Sequence, residues 1–130
     1  MPTPLNYNLR MSDIPARRRI LVVEDEALVA MQLEDMLAEL GHEIAASCAR
    51  LDEAVAAART IACDAAVLDI NLSGQTSFPV ALTLKDRGVP FLFATGYGTS
   101  ILPPELAGSQ VLHKPYSLDE LRLALSSALA

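Results

Sequence analysis

Residues 20–23, Ile-Leu-Val-Val, form a short unbroken apolar run dominated by β-branched or branched side chains, and it ends at Glu24, Asp25 and Glu26. Such a run is the mark of a strand covered on both faces, as in a parallel sheet. Comparable runs return along the chain: 42–46, 65–68 before Asp69, 89–94 before Thr95, and 110–113 before Lys114. Between them, apolar residues recur at helical spacing. Val29, Leu33, Met36, Leu37 and Leu40 predict a helix over 26–40 with Gly41 as its stop, and Leu51, Ala54, Val55 and Ala58 predict a second. A third is expected over 79–87, closed by Gly88. Ser117 and Glu120 have the spacing of a capping box ahead of a last helix, with Leu118, Leu121, Leu125 and Ala128 facing inward. Residues 71–77 read as loop, and Pro103 and Pro104 interrupt the stretch after Thr95, where one turn or irregular backbone is expected.

Five β-then-α units in succession predict an α/β fold: a doubly wound, five-stranded parallel sheet with right-handed crossovers and helices on both faces. The 130 residues fit one domain. Residues 17–130 carry the alternation, whereas 1–16 are rich in Pro, Asn and small polar groups and are expected to be a flexible tail. Hydrophobic residues make up 52 % of the chain, yet no apolar run approaches the roughly 18–20 residues that cross a bilayer. With no signal-peptide pattern either, a cytoplasmic location is the expectation. A formal charge of −6 argues against direct nucleic-acid binding. Arg17, Arg18 and Arg19 read as a solvated strand edge. Cys48 and Cys63 lack metal-ligand spacing and are expected to be reduced thiols, and His42 and His113 stand alone.

In parallel α/β sheets the functional groups gather at the carboxyl ends of the strands. Here those positions hold Glu24 and Asp25, Asp69, Thr95 and Lys114. An acidic residue after a strand is often only a helix cap, so it is the joint placement that carries the signal. Carboxylates brought together repel unless a cation offsets them. Oxygen donors without sulfur or imidazole favour a hard ion such as Mg²⁺. Aspartate is a phosphoryl-accepting nucleophile, and a lysine ammonium with a threonine hydroxyl suits the oxygens of a transferred phosphoryl group.

The segments ILVVEDE, AVLDINLSG, FATGYG and HKPY resemble, in order and spacing, the receiver domains of two-component response regulators, over about residues 19–129. FATGYG resembles a subgroup with this motif after the fourth strand, and the sequence is expected to be a stand-alone receiver. The resemblance implies a flavodoxin-like sheet of order 2-1-3-4-5, which is the order the rule for such sheets already gives for this family. It makes Asp69 the phosphoacceptor, Asp25 a direct Mg²⁺ ligand, Glu24 a ligand directly or through water, and the Asn71 backbone carbonyl a further ligand. Thr95 becomes the switch hydroxyl, Lys114 the lysine that reaches the acyl phosphate, and Lys114–Pro115 a cis bond. The donor implied is a histidine kinase or histidine phosphotransfer protein, and the output is a changed face read by a downstream protein. A monomer or a phosphorylation-dependent dimer is expected. The domain then counts as a phosphoacceptor switch that catalyses only its own phosphorylation and slow dephosphorylation.

Four positions depart from the family pattern. Glu24 replaces the more usual Asp. Ser73 stands where Pro is common and is expected to loosen the loop after Asp69. Val111 occupies the place of a switch aromatic, and Tyr97 is the candidate replacement. Among rival readings, a haloacid-dehalogenase-type phosphatase wants a second Asp where Asn71 stands. A flavin-phosphate binder does not suit the acidic loop after the first strand. A receiver-like interaction module that does not switch is the alternative that remains.

Overall fold

The computed structural model describes residues 17–96 and 102–130. The proposed tail over 1–16 and Tyr97 lie outside the described residues. Strand β1 (Arg19–Val23) leads to helix α1 (Ala27–Glu39), then β2 (Glu43–Cys48), α2 (Leu51–Thr60) and β3 (Ala65–Asp69). Two short strands follow, β4 (Asn71–Leu72) and β5 (Gln75–Thr76), and then α3 (Phe78–Asp86) and β6 (Phe91–Thr95). A one-turn 3-10 helix (Pro104–Leu106), β7 (Val111–His113) and α4 (Leu118–Leu129) complete the order.

The main sheet has five strands in the order β2-β1-β3-β6-β7, all parallel, which is the predicted 2-1-3-4-5 arrangement. Side chains alternate between its faces with the period of two that a strand imposes. Ile20, Val22, Ala65, Val67, Leu92 and Ala94 pack with Leu33 and Leu37 of α1 and Leu121 and Leu125 of α4. Leu21, Val23, Ala66, Leu68 and Phe93 face the other way, onto α2 and α3. Small residues let α2 lie close there: Ala54, Ala57 and Ala58 are all buried. Phe93 meets Phe78 and Phe91 edge-on, at centroid distances of 5.8 and 5.5 Å. Such edge-to-face pairs add to what area burial alone contributes.

Local signals set the ends of the helices. Gly41, at φ 89°, takes the left-handed conformation that closes α1, and His42 N–H donates to Leu37 O at 2.9 Å. The capping box of α4 is formed in both directions, with Glu120 N–H donating to Ser117 Oγ and Ser117 N–H to the Glu120 carboxylate. Pro103 and Pro104 confine the chain to a single 3-10 turn, which still buries Leu106. One expectation needs correction. Residues 71–77 are not plain loop: β4 and β5 pair antiparallel, Asn71 with Thr76 and Leu72 with Gln75. The two residues between them, Ser73 at φ 51° and Gly74 at φ 88°, both have the positive φ that a type I′ hairpin turn demands.

Two substitutions test this packing. Leu121 is fully buried between α4 and the sheet, so Leu121→Ala should lower the unfolding free energy by about 2–5 kcal/mol in urea titrations. Ser77 precedes α3 but makes no side-chain cap, and its buried Oγ has no hydrogen-bond partner among the described residues. An orphaned buried hydroxyl costs roughly 1–3 kcal/mol, so Ser77→Ala should raise the melting temperature, against the usual direction for a residue at that position.

Candidate functional site

Because the sheet is parallel, the chain leaves β1, β3, β6 and β7 at one edge, and the polar residues at those exits converge. Glu24 N–H donates to Cys48 O at 3.0 Å, which extends the β1–β2 ladder by one residue. Its side chain is 3 % exposed. One carboxylate oxygen accepts from Glu26 N–H at 3.2 Å and the other from Lys114 Nζ at 2.6 Å. Asp69 ends β3, where Ile70 N–H bonds to Ala94 O and holds the strand end against β6. Asp69 Oδ2 lies 3.7 Å from Lys114 Nζ, and Oδ1 accepts from Asn71 N–H at 3.4 Å. Thr95 is buried at the end of β6, and its carbonyl accepts from Lys114 N–H at 2.8 Å, which fixes the base of the lysine. The Lys114–Pro115 bond is cis.

Glu24, Asp25 and Asp69 each offer an oxygen, and these three atoms lie within 4.8 Å of one another. Among the described residues, the ammonium of Lys114 stands against these three carboxylates. Electrostatics follow from that imbalance. Burial pushes the Asp69 carboxyl up, the neighbouring Glu24 carboxylate adds to it, and Lys114 and Asn71 N–H only partly oppose them, so its pKa reaches about 7. Burial works to lower the Lys114 pKa, but the hydrogen bond to Glu24 and the charges of Asp69 and Glu24 outweigh it and hold the ammonium charged. Asp25 moves the other way. Its slight burial is overcome by hydrogen bonds, first from Ser73, whose N–H and Oγ–H both donate to Asp25 Oδ2 at 3.0 and 2.9 Å, with its own backbone and Glu24 contributing. The donor set is all oxygen and excess negative charge, which suits a hard divalent cation of the Mg²⁺ kind.

The site opens as a concavity of about 320 Å³ lined by Asp25, Asp69, Asn71, Ser73, Thr95 and Lys114. A neighbouring cleft of about 430 Å³ runs between α1 and segment 114–116, is mostly apolar, and contains none of the three carboxylates. Glu24, Asp25, Asp69, Thr95 and Lys114 are thus brought together, as their positions after strands predict, and Asn71, which the resemblance added, lies beside them. Val111 is half-buried on edge strand β7, opposite Phe93. His42 is remote, its Nδ1 accepting from Arg18 N–H, and His113 is exposed.

Two residues were not singled out from the sequence for what they do here. Ser73, expected to loosen the loop, ties it to Asp25, and the Ser-Gly dipeptide was the available turn signal. Tyr116 packs on the α1–α4 core, and burial with the Glu24 and Asp69 charges pushes its phenol up to about 12.

Comparison with known proteins agrees with this architecture. Residues 20–126 match the response regulator receiver domain family. The transcriptional regulatory protein PdtaR of Mycobacterium tuberculosis is 29 % identical over 123 residues, covering 92 % of this chain and 60 % of that protein. The chain thus spans less than two thirds of that relative's length. Among solved structures, SdrG from Sphingomonas melonis Fr1 is 38 % identical, with a TM-score of 0.78 over 88 % of this chain and 98 % of that one. The BeF3-activated conformation of SdrG, from Pseudomonas melonis Fr1, is 39 % identical, with a TM-score of 0.73 over 86 % and 96 % of the two chains. With strand order, site placement and the family match in agreement, this chain belongs to the response regulator receiver domains of two-component signalling.

Proposed function

We propose that the chain is a phosphoryl-accepting switch in which Asp69 takes a phosphoryl group from a phosphohistidine donor. The observation that carries this reading is Asp69 at the β3 exit, sharing one small site with two further carboxylates and a charged lysine 3.7 Å away. A carboxylate oxygen of Asp69 attacks phosphorus as the phosphorus–nitrogen bond of the donor breaks. The leaving imidazole keeps the electron pair and takes up a proton, and Asp69 becomes an acyl phosphate. Mg²⁺ would be held by Asp25, Asp69 and the Asn71 carbonyl, with Glu24 binding directly or through water, and it would neutralise charge on the incoming phosphoryl oxygens. Lys114 is anchored at its backbone and charged, so its ammonium suits one phosphoryl oxygen, and the Thr95 hydroxyl suits another.

The donor on this reading is a histidine kinase or a histidine phosphotransfer protein. The consequence is a population shift in the face read by a downstream protein. Catalysis is then limited to the domain's own phosphorylation and slow dephosphorylation. That SdrG has a BeF3-activated conformation supports the same chemistry here.

Intact mass spectrometry after incubation with acetyl phosphate tests the proposal. One phosphoryl group should add to the wild type with Mg²⁺, and none without Mg²⁺ or in Asp69→Ala. A wild type that takes neither phosphoryl group nor beryllofluoride, while still binding Mg²⁺, would instead be a non-switching interaction module.

The raised Asp69 pKa gives a second test, free of phosphoryl chemistry. An ordinary aspartate titrates near ~3.9 in an unfolded chain. In the folded state Asp69 holds its proton up to about 7, so its contribution favours folding below the unfolded value and is lost as pH rises through 7. In EDTA, the melting temperature of Asp69→Asn should exceed that of the wild type at pH 8. The gap should shrink toward pH 5, and Mg²⁺ at pH 8 should narrow it by stabilising the wild type.

A further inference from the structure

We propose that Ser73 is a positioning residue that makes Asp25 a one-oxygen ligand and thereby favours Mg²⁺ over Ca²⁺. The inference rests on reading the acidic cluster as a cation site. Both Ser73 donors, the backbone N–H at 3.0 Å and the hydroxyl at 2.9 Å, converge on the same oxygen, Asp25 Oδ2. The partner oxygen, Oδ1, receives neither of these two bonds. A carboxylate with one oxygen engaged by two donors resists turning to present both oxygens, because doing so strains or breaks those bonds.

That constraint acts differently on the two common hard cations. Ca²⁺ takes about six to eight oxygens at roughly 2.3–2.6 Å and readily uses carboxylates through both oxygens. Mg²⁺ demands a near-octahedral set at about 2.0–2.1 Å and keeps several waters, so a fixed single-oxygen ligand suits it. Holding Asp25 in that mode therefore penalises the larger ion.

The hairpin explains how a serine comes to be aimed there. Ser73 is the first central residue of the β4–β5 turn, at φ 51°, a conformation uncommon outside glycine. The antiparallel pairs Asn71 with Thr76 and Leu72 with Gln75 flank it, and Gly74 N–H donates to Asn71 Oδ1 at 3.1 Å. The turn is thus held from within, and its outward N–H and hydroxyl are directed at a residue 48 positions away. A proline at this position has no N–H to give and a φ near −65°, so it supplies neither bond.

The decisive comparison is Ser73→Gly with Ser73→Ala. Glycine suits positive φ better than serine, so if Ser73 serves only the turn, Ser73→Gly should leave cation binding intact or improve it. Alanine loses the hydroxyl while keeping a Cβ. Isothermal titration of the full chain with MgCl₂ and, separately, CaCl₂ gives the ratio of the two dissociation constants, and melting curves in EDTA check folding. Both variants should fold, and both should lose about three- to tenfold in Mg²⁺ preference over Ca²⁺. An unchanged ratio in Ser73→Gly, with the wild type binding Mg²⁺ normally, overturns the positioning role alone. A wild type with no saturable Mg²⁺ binding overturns the cation site itself, and this inference with it.

Discussion

The bond from Lys114 Nζ to Glu24 Oε1, 2.6 Å long, joins residues 90 positions apart, at the exits of β1 and β7. Neither strand neighbours the other in the sheet, since β3 and β6 lie between them. The contact exists only because every main strand runs the same way, so that each exit lies on one edge. It is also costly to break. Both groups are largely shielded from water, and removing one partner from a buried pair leaves an uncompensated charge worth about 3–5 kcal/mol. The ion pair thus ties correct assembly of the sheet to the electrostatics of the site. Burial at the same strand end, with the neighbouring Glu24 carboxylate adding to it, is what raises the Asp69 pKa against the pull of Lys114.

Most of the fold was legible because its signals are local and repeated. Apolar runs at strand spacing, helical stripes, Gly41 and the Ser117 capping box all act within a few residues, and they placed five strands and the principal helices to within a residue or two. Periodicity was less exact about faces. The helical spacing counted Val29 and not Ala30, whereas Ala30 is buried and Val29 is half-buried. The β4–β5 hairpin escaped for a different reason. Two residues per strand are too few to show a period, and only its turn dipeptide carried information.

The candidate site divides along the same line. Which residues meet was readable, since their strand-end positions are local and parallel topology does the rest. How they are engaged was not. That Lys114 is bonded to Glu24 and stands farther from Asp69, or that Ser73 grips Asp25, depends on contacts between distant segments. The expectation that Ser73 loosens its loop came from comparing it with proline as a backbone residue. Its side chain and N–H act as donors, and they fasten the loop instead.

The longer arm of Glu24 has a consequence for the proposed switch. In the structure, the lysine that would serve the phosphoryl group is already bonded to Glu24, more closely than to Asp69. Moving the ammonium onto a phosphoryl oxygen would leave a buried carboxylate without that partner. A cation at the same acidic cluster would offset that penalty by giving Glu24 another counter-charge. Cation and phosphoryl group are then linked through one lysine: each makes the arrival of the other less costly, and by linkage the coupling is equal in both directions. On this reading, Glu24 in place of aspartate does more than preserve charge. It gives Lys114 a resting partner, which a cation beside Glu24 and a phosphoryl oxygen on Asp69 would between them replace.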